Sequence, residues 1–106
     1  MATYQGRMLE ALGDPTRRSI FERLAAGPRS VAELAADLPI SRPAVSQHLK
    51  VLKEAQLVSS TAVGTRRVYA VDPAGLAAVR GYFEQFWQRA MADFAEAVQN
   101  PIEEEP

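Results

Sequence analysis

The segment from Ser41 to Lys53, SRPAVSQHLKVLK, places polar and apolar side chains on opposite sides of a predicted helix. At about 100° per residue, three apolar residues share one side: Val45, Leu49 and Leu52. The opposite side, the outer face, is polar and has no acid: Pro43, Ser46, Gln47 and Lys50. Hydroxyl, amide and ammonium groups set close together can hydrogen-bond to base edges and phosphates. The chemistry that this face could perform is therefore recognition of duplex DNA.

Local signals start and stop two short helices around this segment. Ser41 is a predicted N-cap, and Pro43 in the first turn loses only an amide hydrogen that has no helical partner. Upstream, Ser30 and Glu33 have the spacing of a capping box. An apolar stripe follows: Val31, Leu34, Ala35 and Leu38. The chain then breaks at 39–40, so the pattern predicts a helix-turn-helix, whose second helix enters the major groove. The alternative is an ordinary corner between two helices.

After this helix pair the pattern changes from helical to alternating. Two β-rich runs, 57–63 and 66–71, flank Gly64–Thr65, which predicts a hairpin. A hairpin placed after a helix-turn-helix is a wing. Its residues Arg66 and Arg67 could lie along the minor groove, where a narrow groove concentrates negative potential. The alternative is a solvated hairpin whose arginines only keep an edge strand soluble.

The distribution of charge also favours DNA as the partner, although the 106-residue chain has a net charge of −1. Between residues 39 and 71, five basic side chains stand against one acid, Glu54. The chain ends with three glutamates at 103–105, but salt screens exposed charges beyond about 8 Å, so they do not cancel a distant basic surface. The candidate DNA contacts are Arg42, Pro43, Ser46, Gln47, His48, Lys50, Lys53, Arg66 and Arg67, with Gln47 as the leading candidate for reading a base.

Two helices are predicted ahead of the helix-turn-helix. The first runs from about Thr3 to Leu12. The second begins at Asp14–Pro15, with the aspartate as N-cap, and stops at Gly27–Pro28. Its inward residues are expected to be Ile20, Phe21 and Leu24. Arg17 and Arg18 either approach phosphates or remain exposed, and exposure is favoured for Arg18.

The last predicted helix extends from Ala74 to about Val98 and begins with another cap-and-proline pair, Asp72–Pro73. Its apolar stripe is strongly aromatic, and the other elements are too short to cover it within one chain. We expect a dimer interface, where aromatic residues and Met are favoured, formed with the first helix. The residues expected there are Tyr4, Met8, Leu9, Leu12, Leu76, Val79, Tyr82, Phe83, Phe86, Trp87, Met91 and Phe94. Residues 1–98 are expected to form one DNA-binding and dimerisation domain, and 99–106 a disordered acidic tail.

Four motifs, taken in order, carry a resemblance to a known family. They are ALGDPTRR from Ala11, ELAADL from Glu33, SRPAVSQHLKVLKEAQLV from Ser41 and GTRRVYAVDP from Gly64. Over about 9–98 the chain resembles the ArsR/SmtB family of bacterial winged-helix repressors. The resemblance implies a homodimer that binds an inverted repeat in promoter DNA, with autoregulation as an option, and that leaves when an effector binds. It also implies a recognition helix at 42–52 and a wing arginine at position 66 or 67.

Metal sensing, a property of part of this family, is not expected here. The metal sensors place cysteines where this chain has Ala35 and Ala36, or histidine and acidic ligands along the last helix, which has no histidine. The sole histidine, His48, lies on the recognition helix, and one imidazole does not make a zinc site. Its expected role is either a DNA contact or a hydrogen bond that anchors the helix. Asp93 and Glu96 are expected to be ordinary solvated acids. We therefore expect no metal and no cofactor, and an effector whose chemistry the sequence does not specify.

Composition and motif content narrow the classes of protein to which this chain can belong. Hydrophobic content of 47% and charged content of 24% are typical of a soluble globular domain. The chain has neither a run of about 18 apolar residues nor an apolar signal core, so a cytoplasmic protein without membrane contact is expected. It has no pattern for a nucleophile with its base or for a phosphate loop, so an enzyme is not expected.

The expected fold is mainly α with a β-hairpin: a homodimeric winged helix-turn-helix of five helices and a two-stranded wing. The alternative function is a winged-helix module that binds another protein without specific DNA binding, because a fold does not fix a function.

Overall fold

The structure is a computed structural model that describes residues 4–100, and of Tyr4 and Gln5 it describes only the backbone. The elements in these residues are α1 (Tyr4–Leu12), α2 (Pro15–Ala26), β1 (Arg29–Ser30), α3 (Val31–Asp37), α4 (Arg42–Glu54), β2 (Val58–Val63), β3 (Arg66–Val71) and α5 (Pro73–Gln99). The five predicted helices and the two-stranded wing are confirmed. The predicted Tyr4 contact falls on a side chain outside the described residues.

Each helix from α2 to α5 begins where the sequence predicts a cap. Asp14 accepts a hydrogen bond from the Arg17 amide at 3.0 Å, and Ser41 accepts one from the Ala44 amide at 3.3 Å. Asp72 caps α5 in the same way. The capping box at α3 is reciprocal: the Glu33 amide donates to the Ser30 hydroxyl at 3.2 Å and the Ser30 amide donates to the Glu33 carboxylate at 2.9 Å. The starts of both helices of the helix-turn-helix, α3 and α4, are therefore fixed by side-chain caps.

The sheet contains a third strand that the sequence pattern did not predict. β1 pairs antiparallel with β3, with Arg29 opposite Tyr69 and Ser30 opposite Val68, so the strand order is β1-β3-β2. Two residues are too few to show an alternating pattern, and Ser30 also caps α3. The pairing ties the wing to the start of the helix-turn-helix.

The wing closes as predicted with a two-residue turn. Val63 lies opposite Arg66, which leaves Gly64 and Thr65 as the loop. Gly64 has φ 63°, in the left-handed region that favours glycine.

The core is formed by side chains from α1 to α4 and from the start of the wing: Met8, Ala11, Ile20, Leu24, Leu34, Val45, Leu49, Leu52, Ala55, Leu57 and Val58. Met8 has no exposed surface, so its predicted place in a dimer interface is wrong. Its position on α1 faces the chain's own core, together with Ala11 one turn later. Leu12 and Val79 also pack against this core, whereas Leu9 is half-buried.

α5 leaves most of its apolar stripe uncovered. Six of the residues expected at a dimer interface are exposed: Leu76, Phe83, Phe86, Trp87, Met91 and Phe94. At about 1.5 Å per residue the helix is about 40 Å long, and its main packing partner is α1. α5 extends to Gln99, one residue past the predicted boundary, and Asn100 caps it. The rest of the predicted tail, residues 101–106, lies outside the described residues. Among residues 4–100, no helix is both long enough and apolar enough to cross a bilayer.

Candidate nucleic-acid interface

α4 has the two faces that the sequence predicts. Val45, Leu49 and Leu52 are completely buried, and they fix the rotation of the helix against α2 and α3. The outer face points into solvent with all four of its members exposed: Pro43, Ser46, Gln47 and Lys50. Because the buried side chains hold the helix, the outer face is presented without any rearrangement of the core.

Basic residues mark both ends of α4. Arg42 is exposed in the first turn, beside the capping residue Ser41, and Lys53 is exposed in the last turn. The two residues are eleven positions apart, which is about 16 Å along the axis. A major groove is about 12 Å wide. The helix is thus long enough to place its centre against bases while both of its ends lie near backbone phosphates.

The C-terminal end of α4 is joined to the wing through one hydroxyl group. Lys53 Nζ donates to Ser60 Oγ at 3.2 Å, and Arg67 Nη1 donates to the same oxygen at 3.1 Å. Ser60 lies in β2 and Arg67 lies in β3. The shared oxygen brings two cations from different elements to a common point.

The two wing arginines lie on opposite faces of the hairpin. Ser60 pairs with Tyr69, and Arg67 lies two residues before Tyr69 on the same face, whereas Arg66 belongs to the other face. Glu33 has a pKa below its ordinary value because it accepts hydrogen bonds from the Ser30 amide and hydroxyl, with smaller contributions from the charges of Arg66 and Arg29. Arg66 therefore lies near a carboxylate, and Arg67 lies near Lys53.

His48 lies away from the wing. It is half-buried on the side of α4 that faces the start of α2. The pKa of Asp14 is lowered first by its hydrogen bond from the Arg17 amide, and the nearby His48 contributes a smaller electrostatic effect. The predicted DNA contact by His48 thus comes from the flank of the helix, about 100° from Gln47.

Arg17 and Arg18 have structural partners. Arg17 Nε donates to the carbonyl of Ala11 at 2.8 Å, and Arg18 Nη1 donates to the carbonyl of Leu12 at 3.0 Å. Both arginines satisfy carbonyl groups at the C-terminal end of α1, where the helix dipole is negative. Arg18 is exposed, as expected.

The single acid of α4, Glu54, lies at the last position of the helix. It lines a groove of about 320 Å³ with Arg7, Glu10 and Arg17. About 10 Å of helix separates Glu54 from Gln47. Acidic charge is therefore kept away from the N-terminal half of the outer face.

A metal-binding cluster is not formed by the described part of the chain. Across residues 4–100, histidine, aspartate and glutamate nowhere come together in threes as a metal ion would require. Asp93 and Glu96 are exposed on the last turns of α5.

Ser60 is a member of the site that the sequence pattern did not predict. Part of its role could have been predicted from the two-residue period of the hairpin. This period places Ser60 on the same face as Arg67, diagonally across the two strands. The hydrogen bond from Lys53 to Ser60 could not be found from the pattern, because it depends on how α4 packs against the wing.

Comparison with known proteins agrees with this architecture. A helix-turn-helix domain family model matches residues 12–61. The HTH-type transcriptional regulator Rv2034 of Mycobacterium tuberculosis is 58% identical over 100 residues, covering 92% of this chain and 94% of that protein. A crystal structure described as a possible transcriptional regulator for arsenical resistance is 46% identical, with a TM-score of 0.70 over 81% of this chain and 94% of its own.

A second solved structure, an ArsR-like transcriptional regulator from Rhodococcus sp. RHA1, is 29% identical with a TM-score of 0.76, covering 93% of this chain and 95% of that one. These similarities extend over most of the chain, and the proteins that share them are transcriptional regulators. The chain belongs to the ArsR/SmtB family of winged helix-turn-helix transcriptional regulators.

Proposed function

We propose that this DNA-binding regulator represses transcription as a homodimer that binds an inverted repeat in promoter DNA. One observation carries the proposal: the buried residues of α4 turn a polar, acid-free face outward, and Ser60 connects the end of that face to the wing. Bases would be read by the N-terminal half of α4, and phosphates would be held by the cations at its ends and on the wing.

The dimer is supported by the uncovered aromatic stripe of α5. Phe86 is 59% exposed and Trp87 is 62% exposed in the single chain. Aromatic and Met side chains are enriched at the centres of protein interfaces, and a two-fold axis would cover this stripe with its own copy. Two α4 helices related by that axis would face successive turns of the major groove, about 34 Å apart, which requires an inverted repeat.

The effector that would release the DNA is a molecule other than a thiolate-bound metal, because the chain contains no cysteine. A protein with this function would act in the cytoplasm, where the chromosome is.

The experiment that tests this function is a mobility-shift titration with the DNA upstream of the protein's own gene. A scrambled duplex of equal length and base composition is the control. We expect preferential binding of the promoter fragment, with an affinity that falls by a log-log slope of about −0.9 for each phosphate neutralised as salt rises. Equal binding of both duplexes, or binding that does not change with salt, would contradict the proposal.

A further inference from the structure

Ser60 occupies an unusual position between two cations. Its oxygen accepts hydrogen bonds from Lys53 Nζ at 3.2 Å and from Arg67 Nη1 at 3.1 Å. A serine hydroxyl offers two lone pairs and one hydrogen. Since both lone pairs are occupied, the Ser60 hydroxyl hydrogen is left to donate to a third group.

The two cations are not neutralised where they meet. Because both donate to one atom, their nitrogens lie no more than about 6 Å apart, so their charges repel. None of the ion pairs formed within residues 4–100 involves either of them. The site thus contains the Lys53 ammonium, the Arg67 guanidinium and the Ser60 hydroxyl, all of which can donate hydrogen bonds. Such a group of donors can bind an anion that has several acceptor oxygens.

The position of this cluster identifies the anion. Lys53 belongs to the last turn of α4, and Ser60 and Arg67 belong to the inner face of the wing. If α4 lies in the major groove and the wing lies along the adjacent minor groove, the sugar-phosphate strand that separates the two grooves must pass between them. That strand would pass over the three side chains.

We propose that Lys53, Ser60 and Arg67 form a single binding site for one phosphodiester of that strand. The inference rests on the proposed DNA-binding function and adds Ser60, a neutral residue, as the group that holds the two cations together and donates the third hydrogen bond. Arg66 is not part of the site, because it lies on the other face of the hairpin near Glu33.

The chain supplies a matched control next to the site. Ser59 is the neighbouring serine in the same strand, but it is exposed on the opposite face. Ser59→Ala therefore makes the same chemical change without touching the cluster.

The test is a mobility-shift titration of the full chain with promoter duplexes that each carry one uncharged methylphosphonate linkage. In each half-site, neutralisation should weaken wild-type binding at every linkage that a cation contacts, and one of these should be the linkage held by Lys53, Ser60 and Arg67. Ser60→Ala should weaken binding to the unmodified duplex by about tenfold, the size expected for a missing hydrogen bond to a charged group. At that linkage the variant should lose little more affinity, because the two changes remove the same interaction. Ser60→Thr, which keeps the hydroxyl, should restore binding, and Ser59→Ala should bind as the wild type does.

Thermal melting of each variant shows whether the fold is intact. If the wild type binds its promoter, but Ser60→Ala has the same affinity and the same linkage profile as Ser59→Ala, the phosphate site is wrong and the proposed function stands. If the wild type shows no preference for promoter DNA, the proposed function itself fails. Inorganic phosphate should displace DNA no better than sodium chloride at equal ionic strength. Stronger displacement by phosphate would assign the site to a free anion and overturn the proposal.

Discussion

Gly75, in the first turn of α5, lies directly against the backbone carbonyl of Gln56. A Cβ atom at position 75 would collide with the Gln56 carbonyl oxygen and would lie 3.0 Å from its carbon. Gln56 is held in the left-handed region at φ 63°. The next residue, Leu57, donates to the carbonyl of Leu52 at 3.0 Å and accepts from the Asp72 amide at 2.9 Å. The end of α4 and the start of α5 are therefore fastened to one short loop.

The first prediction concerns this close approach. Alanine normally stabilises a helix relative to glycine, but Gly75→Ala should destabilise the protein by about 1–3 kcal/mol, the cost of overpacking a tightly packed position. Thermal denaturation measures the change, and for a domain of this size 1 kcal/mol corresponds to about 4–8 °C.

Gly81→Ala is the matched control in the same helix. Nothing lies within 4 Å of a Cβ atom at position 81, so this change should stabilise the protein by about 0.5–1 kcal/mol. If both variants raised the melting temperature, the close approach of Gly75 to Gln56 would be wrong.

The sequence predicted what depends on near neighbours and missed what depends on packing. The caps at Asp14, Ser30, Ser41 and Asp72 and the two faces of α4 are local, because side chain and partner lie within four residues. The two-residue strand β1, by contrast, exists only through its pairing with β3.

The same distinction explains the errors at individual residues. Met8 looked like an interface residue because its spacing on α1 fits an apolar stripe, but the stripe does not say whether the chain itself or a partner covers it. Arg66 and Arg67 looked equivalent because they are neighbours, and the strand separates them onto opposite faces. Ser60 and Gly75 acquire their roles from segments that approach in space.

The second prediction concerns base reading. Gln47 is exposed near the centre of the outer face, and a glutamine amide can bind an adenine edge with two hydrogen bonds, worth about 1–3 kcal/mol of discrimination. Gln47→Ala should therefore lower the ratio of promoter to scrambled-duplex affinity by about 5- to 150-fold. Competition mobility shifts with the two duplexes measure this ratio.

Lys50→Ala provides the contrast. A lysine that binds phosphate contributes to binding of every sequence, so its removal should weaken both complexes alike. The salt slope should become shallower by about 0.9 for each phosphate that the variant no longer neutralises. An unchanged affinity ratio for Gln47→Ala would show that bases are read from another part of the helix.

The third prediction concerns acid stability. The pKa of Glu33 is held below its ordinary value by hydrogen bonds from the Ser30 amide and hydroxyl. A carboxyl group whose pKa is lower in the folded state stabilises the protein above its unfolded pKa, about 4.3, and that contribution is lost as pH falls through the lower folded value. Glu33→Gln keeps the capping geometry but has no charge to lose.

Denaturant unfolding at pH 7 and at pH 3 tests this. The free energy of unfolding of Glu33→Gln should lie below that of the wild type at pH 7, and the difference should shrink at pH 3. Glu22→Gln, on the exposed side of α2, is the control. A gap between wild type and Glu33→Gln that was equally large at both pH values would contradict the role of the carboxylate charge.

The fourth prediction concerns the dimer. Phe86 is 59% exposed in the single chain, so its side chain contributes little to the fold of one protomer. At the centre of an interface, loss of a buried aromatic side chain commonly costs about 2 kcal/mol or more, which is about 30-fold in the dissociation constant. Phe86→Ala should therefore shift the protein towards monomer at micromolar concentration, with circular dichroism that still shows folded helices.

Gln85→Ala is the matched control, because Gln85 is exposed on the side of α5 opposite the aromatic stripe. Sedimentation velocity distinguishes the two species, and it should find Gln85→Ala as dimeric as the wild type. Because an inverted repeat needs two linked copies of α4, Phe86→Ala should also weaken promoter binding while leaving binding to a single half-site unchanged. A wild-type protein that sedimented as a monomer at micromolar concentration would contradict the prediction. The aromatic stripe of α5 would then have no partner copy, and the proposed two-fold arrangement of the recognition helices would be wrong.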